Sequence, residues 1–224
     1  MKQVFLVLLS ASLLLGACSK SNDDAKPNES TSVEIGGSSY STVKIGTQTW
    51  TSVNYNGAGG KNYDEGANDS KYGKLYTLAE AKAIVLPAGW RLPTWEDYNK
   101  LLEASGANSG NSHGVYNGSE AIAKKLMSKS GWDNNIGSDA LGFNAFPAGN
   151  YQGEYSSKGT AAVFLTSSTF DDLQEPNYSG IPASFVIYSD QEDTRTDEYV
   201  TGADFSDYVV EQGDRGSIRF VKDN

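Results

Sequence analysis

Residues 85–105, which read VLPAGWRLPTWEDYNKLLEAS, constrain the local fold most strongly. Pro93 disfavours helical backbone angles at the residue before it, so no helix is expected to run through this point. Thr94 follows directly, with Asp97 three positions later, which is the pattern of a helix capping box. The segment therefore predicts a helix over residues 95–105, which Gly106 ends. Its apolar stripe consists of Trp95, Tyr98, Leu101 and Leu102.

Two further short helices are predicted in the same half of the chain. The segment KYGKLYTLAEAKAIV places Leu78, Ala81 and Val85 on one helix face, and Pro87 is expected to end that helix. A third helix is expected to begin after Ser119. Its buried stripe consists of Ile122, Leu126 and Met127.

Strand patterns flank this helical part. Before it, SVEIGGSSYSTVKIGTQTWTSVNY alternates β-branched and polar residues around Gly36-Gly37 and Gly46-Thr47, as two hairpins would. After it, AAVFLTSS, SFVIYS, DYVVEQ and SIRFVKD are typical of strands, while the 24 glycines indicate many loops. The sequence therefore predicts an α+β fold, with two or three short helices beside a loop-rich antiparallel sheet whose terminal strands pair.

The first residues predict export and a lipid anchor. Residues 1–17 contain Lys2 and then an apolar run that is shorter than the roughly 20 residues of a membrane-spanning helix, which is typical of a signal peptide. The sequence LGAC that ends at Cys18 resembles a bacterial lipobox, in which the cysteine is lipidated. Cys18 is the only cysteine of the chain, so it has no partner for an internal disulfide. We therefore expect residues 1–17 to be removed and Cys18 to carry the anchor to the membrane.

A polar tether and one domain are expected to follow. Residues 18–32 are rich in Ser, Asn and Asp and cannot bury enough apolar surface to order themselves, whereas residues 33–224 suffice for one domain. Asp23-Asp24 resembles the export signals of outer-membrane lipoproteins in Bacteroidetes, although an acidic solubilising linker explains the pair equally well. We expect an outer-membrane lipoprotein at the cell surface.

The charge of the chain excludes one class of partner. The formal net charge is −10 at pH 7, and no basic patch with interleaved aromatic residues occurs in the sequence. Such a field repels nucleic acids, so nucleic-acid binding is not expected. The sequence carries no signal for an oligomeric state.

Several segments together resemble the Fibrobacter succinogenes major paralogous domain of secreted and lipid-anchored bacterial proteins. They cover most of residues 40–223 and read VKIGTQTWTSVNYN, YGKLYTLAEA, LPAGWRLPTWEDYNKL, AKKLMSKSGWDNN, GFNAFPAGNY, AAVFLTSS and GSIRFVKD. This resemblance implies a divergent C-type-lectin-like fold, distantly related to that of formylglycine-generating enzymes. Where the family usually has two cysteines, this chain has Leu86 and Phe220. We expect these two side chains to pack together in place of a cross-link.

No catalytic constellation is apparent in the sequence. His113 is the only histidine and lies in a polar loop without an acidic neighbour, so a nucleophile has no evident base. The paired cysteines of formylglycine-generating enzymes are missing, and zinc or iron would lack its usual ligands. Paired carboxylates of a glycoside hydrolase cannot be assigned among the 28 acidic residues. These observations favour a non-enzymatic role without any catalytic residue.

Calcium is the one cofactor that the composition leaves open, since it takes carboxylates and carbonyls. Glu175-Pro176-Asn177 matches the tripeptide with which sugar-binding C-type lectins hold calcium, but no W-N-D motif follows it, and a chance tripeptide in a turn explains it better. Asp190 and Asp193, in the acidic loop SDQEDTRTDEY, are further weak candidates, for which surface acidity is the simpler explanation.

Tyrosines in loops are the most suggestive ligand-binding feature, because sugar rings stack their apolar faces on such side chains. Covering the edges of a loop-rich domain is the plainer role for any single one. The loop tyrosines are Tyr55, Tyr63, Tyr116, Tyr151, Tyr155 and Tyr178. We select Tyr116, Tyr151, Tyr155 and Tyr178, with Glu175 and Asn177, as candidate ligand-binding residues.

The function expected from these features is an envelope recognition or adhesion module that binds a glycan or an envelope protein. Two alternatives remain at this point. One is a structural or accessory subunit of a surface assembly, and the other is a carbohydrate-active enzyme that uses two carboxylates.

Overall fold

The computed structural model describes residues 31–66, 69–108, 118–134, 136–173, 179–193, 198–206 and 213–224, with only the backbone for 190–193, 198–201 and 206. Residues 1–30, the predicted signal and most of the predicted tether, lie outside these residues, whereas Thr31 and Ser32, which were counted in the tether, already belong to the first strand. The fold mixes three short helices with antiparallel sheets. The helices are α1 (Leu78–Lys82), α2 (Trp95–Ala104) and α3 (Glu120–Leu126). The strands are β1 (Thr31–Ile35), β2 (Ser38–Ile45), β3 (Gln48–Thr51), β4 (Lys61–Asn62), β5 (Lys74–Leu75), β6 (Asn150–Tyr151), β7 (Tyr155–Ser156), β8 (Ala161–Thr169), β9 (Pro182–Asp193), β10 (Glu198–Ser206) and β11 (Val221–Asp223).

The first sheet joins both ends of the described chain. Its strand order is β1-β2-β3-β11, and all of its pairs are antiparallel. Turns at residues 36–37 and 46–47 connect the first three strands, so both predicted hairpins are confirmed. The pairing of β11 with β3 also confirms that the terminal strands meet.

The second sheet has the order β10-β9-β8 and carries much of the apolar core. The predicted strands AAVFLTSS and SFVIYS correspond to β8 and β9. The predicted strand DYVVEQ, residues 207–212, lies outside the described part of the chain. Helix α2 contacts β8 and β9, and α3 contacts β10. Tyr98 of α2 stacks on Phe185 of β9 with 4.2 Å between ring centroids.

Helix α2 has the expected limits, and helix α3 has the expected start. Helix α2 has a complete capping box, because the Thr94 hydroxyl accepts from the Asp97 amide and the Asp97 carboxylate accepts from the Thr94 amide. Helix α3 begins after Ser119 as predicted, although the serine side chain makes no capping hydrogen bond. Helix α1 ends at Lys82, before the end expected from Pro87, and Val85 is 87% exposed, so its predicted place on one helix face with Leu78 and Ala81 was wrong. A five-residue helix ends before it can bring that residue back to the core.

The segment that includes α2 is held to the first sheet by polar contacts. Arg91 and Val221 exchange backbone hydrogen bonds of 2.9 and 3.1 Å, which extends the sheet beyond β11. The Arg91 guanidinium pairs with Asp97 at 2.7 Å and with Asp223 at 3.0 Å. These contacts join the start of helix α2 to the edge of the first sheet. Residues 85–105, with their two prolines and two tryptophans, therefore have an architectural role.

The two residues at the family's cysteine positions lie in one apolar cluster. Phe220 is fully buried, and the half-buried Leu86 packs against the cluster that contains it. Both side chains thus pack in the same apolar cluster, while their direct contact stays a prediction. Among the described residues, no helix is long and apolar enough to cross a membrane.

Candidate ligand-binding surface

The structure describes the side chains of only part of the candidate residues. Asp190 and Asp193 lie in β9, where only the backbone is described. Tyr151 and Tyr155 are described in full, and the structure brings them together. The candidates that lie outside the described residues are Cys18, His113, Tyr116, Glu175, Asn177 and Tyr178.

Tyr151 and Tyr155 form a cross-strand pair in the hairpin of β6 and β7. They are partners in the register, so both side chains lie on the same face of the hairpin. Their ring centroids are 5.1 Å apart in an edge-to-face arrangement, and both residues are half-buried. The backbone of Tyr151 also exchanges hydrogen bonds with that of Arg215, at 3.1 and 2.9 Å. The pair is thus held on an ordered backbone.

Gly149 sets the position of this hairpin. Its φ is +67°, and a Cβ at this residue would lie 2.0 Å from the Ser156 carbonyl oxygen. The Gly149 amide donates to the Ala161 carbonyl at 2.8 Å. Only glycine allows so close a backbone approach, so residue 149 fixes the hairpin against the start of β8.

Lys61 of β4 places its ammonium group over both rings of the pair. Its Nζ lies 4.5 Å from the centroid of Tyr151 and 5.5 Å from that of Tyr155, within the range of a cation–π interaction. Within the described ranges, the ammonium makes no hydrogen bond or ion pair. The two hairpins β4–β5 and β6–β7 therefore meet around the ammonium group of Lys61.

A second aromatic pair continues the same cluster. Tyr63 and Tyr72 stack with 4.3 Å between centroids, and the Lys158 ammonium lies 5.6 Å from the Tyr63 centroid. Lys158 also forms an ion pair of 2.5 Å with Asp64. The hydrogen bond from Lys158 lowers the pKa of the Asp64 carboxyl, and the same contact raises the pKa of Lys158.

Buried Leu75 and Ala148 support both aromatic pairs from below, which makes them one surface. We call it the tyrosine–lysine face, and it consists of Lys61, Tyr63, Tyr72, Tyr151, Tyr155 and Lys158.

Two of the loop tyrosines are not exposed. Tyr55 is 4% and Tyr63 is 7% exposed, because Tyr55 packs among the rings of the core and Tyr63 lies beneath Lys158. The sequence reasoning also missed Lys61, Tyr72 and Lys158. The abundance of tyrosines in predicted loops is the signal that indicated Tyr151 and Tyr155, which are one part of the face. No sequence period connects residue 61 with residue 151.

Where the pKa of a described carboxyl group is raised, burial of that group is the main cause. Burial raises the pKa of Asp139 and of Asp204, and no neighbouring carboxylate contributes to either increase. The facing acids of a glycoside hydrolase would raise each other's pKa values.

Among the described residues, no group of three or more His, Cys, Asp or Glu side chains is arranged to hold a metal ion.

The comparison with known families places the chain in a family of bacterial domains. A protein-family model described as the Fibrobacter succinogenes major domain matches residues 43–222. No curated protein and no solved structure matches the chain. The matched range contains the whole tyrosine–lysine face.

Proposed function

Given that the chain belongs to the Fibrobacter succinogenes major domain family, which matches residues 43–222, we propose that it is a non-enzymatic recognition module of the cell envelope. The tyrosine–lysine face would be its glycan-binding site. The observation that carries this proposal is the pairing of Tyr151 and Tyr155 as half-buried rings on one face of a hairpin.

The geometry of the face supports stacking on a sugar ring. A tyrosine ring offers a large apolar surface and loses little side-chain entropy when it binds. Here the rings are already fixed by their mutual contact, by Lys61 and by buried Leu75, so ligand binding does not have to order them. Such preorganisation lowers the entropic cost of association.

We also propose that Cys18 carries a lipid anchor and that the domain has a divergent C-type-lectin-like fold. The apolar segment before Cys18 supports the anchor. Short helices beside antiparallel sheets, together with the pairing of β11 and β3, support the lectin-like fold. A Cys18→Ala variant expressed in a bacterium that lipidates exported proteins should not incorporate labelled fatty acid. Equal incorporation into wild type and variant would disprove the anchor.

Calorimetry of the purified protein against a panel of neutral and acidic oligosaccharides tests the binding site. We expect at least one sugar to bind, and Tyr151→Ala to weaken it about tenfold, since a stacked aromatic contact contributes roughly 0.5–1.5 kcal/mol beyond the area that it buries. Tyr151→Phe keeps the ring and should bind nearly as well as wild type. Equal binding by Tyr151→Ala and wild type would show that the face is not the site.

The same titrations in calcium and in chelator separate this site from the lectin-type tripeptide. The proposal expects binding to be the same in both. Binding that is lost in chelator and in Asn177→Ala would instead place the site at residues 175–177. If no sugar binds at all, the role in a protein assembly becomes the better description.

A further inference from the structure

We infer that the glycan is acidic, and that the Lys61 ammonium binds its carboxylate or sulfate group while the sugar ring stacks on Tyr151 and Tyr155. This inference rests on the proposed function and adds the chemical class of the ligand. It depends on the charges of the face, which the stacking argument does not use.

Of Lys61 and Lys158, the two lysines that lie over rings of the face, Lys61 is the one without an acidic partner among the described residues. Lys158 is neutralised by Asp64 at 2.5 Å. Lys74 donates to the carbonyl oxygens of Gly57 and Gly59, both at 3.1 Å. The Lys61 ammonium has aromatic contacts only in the described part of the chain, and these leave its hydrogen-bond donors unused.

The aromatic contacts also fix where an anion can bind. Two ring faces hold the ammonium at 4.5 and 5.5 Å, so its position is defined before any ligand arrives. An anion that pairs with this ammonium lies beside the rings. The carboxylate of a uronic acid and the sulfate of a sulfated sugar are both attached to the ring that would stack there. One acidic monosaccharide can therefore occupy both parts of the site, and its charge-assisted hydrogen bonds are stronger than those of a neutral sugar.

The negative charge of the rest of the molecule limits the preference for acidic glycans to direct contact with Lys61. The formal net charge is −10. At the other end of the face, burial raises the pKa of Tyr72, and the nearby carboxylates of Asp69 and Asp133 raise it further. Glu154 is exposed in the turn between Tyr151 and Tyr155. Acidic polymers are therefore not attracted from a distance, and the contact with Lys61 has to provide the selectivity.

The test compares oligogalacturonate with its methyl-esterified form, which has the same sugar rings without the charges, in calorimetric titrations of the purified protein. A sulfated galactan and its desulfated form make a second pair and distinguish sulfate from carboxylate. We expect the charged member of at least one pair to bind about fivefold more tightly, and Lys61→Gln to remove that difference. The matched control is Lys222→Gln, because Lys222 also lies over an aromatic ring, 5.5 Å from the Trp90 centroid, in a different apolar cluster.

The outcomes separate this inference from the proposed function. If charged and uncharged members bind equally and Tyr151→Ala weakens both, the face binds glycans and the acidic class is wrong. If Lys61→Gln and Lys222→Gln lose the same affinity, the preference comes from overall charge and Lys61 is not its source. If no member of either pair binds, and neutral sugars of the larger panel do not bind either, the proposed function fails together with the inference.

Discussion

At the scale of single residues, Arg219 is a charged residue whose side chain is fully buried in the core. Its guanidinium donates to the Asn54 side chain and to the carbonyl oxygens of Thr51, Phe143 and Asn144, at 2.7–2.9 Å. Burial lowers the pKa of Arg219 to about 9, which leaves it charged at neutral pH. The residue thus connects the end of β3, residues 143–144 and the approach to β11 through one side chain.

Replacing Arg219 by methionine should destabilise the protein strongly. The substitution leaves buried carbonyl oxygens without donors, and breaking such a network costs about 3–5 kcal/mol. Arg215→Met is the matched control, because Arg215 makes a partly exposed ion pair with Glu80, and a surface pair contributes about 1 kcal/mol or less. Urea unfolding of both variants measures the difference. Equal losses of unfolding free energy would contradict the role given to Arg219.

Asp223 should contribute to acid sensitivity. The hydrogen bond from Arg91, followed by that from Gln48, lowers the pKa of its carboxyl in the folded protein. A lowered folded pKa stabilises the fold above the ordinary unfolded value of about 3.9, and this contribution is lost as the pH falls through the folded pKa. Asp223→Asn should therefore have a lower Tm than wild type at neutral pH and a smaller fall in Tm from about pH 5 to about pH 2.5. Parallel falls in the two proteins would exclude the effect.

At the scale of elements, the sequence predicted those whose signals are local. The capping box of α2 and the glycine turns of the first two hairpins depend on neighbouring residues, and both were found as expected. The limits of α1 were not predicted correctly, because a helix of five residues has too few turns to show a clear apolar period in the sequence. Strands β4–β7 have two residues each, which is too short for any alternation to appear.

Gly149→Ala should disrupt the β6–β7 hairpin, since the added Cβ would meet the Ser156 carbonyl at 2.0 Å in addition to the strain of a positive φ. We expect a loss of more than about 3 kcal/mol in unfolding free energy. Gly153→Ala is the control, because residue 153 also has a positive φ but no atom within 4 Å of the added Cβ. That variant should lose about 1 kcal/mol. Similar losses in the two variants would show that backbone strain alone matters at residue 149.

At the scale of the whole molecule, distant parts of the chain build the candidate site. Residues 61–72 and 151–158 meet through the shared buried support of Leu75 and Ala148 and through the contacts that Lys61 and Lys158 make across them. The strand patterns at both ends of the chain predicted that the terminal strands meet, and the resemblance to a family covered most of residues 40–223. It did not indicate which tyrosines would be buried, because that depends on contacts between residues far apart in sequence. Tyr151 and Tyr155 were chosen for their loop positions, whereas Lys61 could be recognised only in the folded chain.

The most direct measurement of the central claim is an NMR titration of the purified, isotope-labelled protein with the oligosaccharide that binds best in calorimetry. The account predicts that the ring signals of Tyr151 and Tyr155 and the side-chain signals of Lys61 shift with the same dissociation constant. Signals of Trp90 and Lys222, the other lysine–aromatic pair, should remain unchanged. Shifts confined to residues 174–178, or to any surface other than the tyrosine–lysine face, would contradict the account.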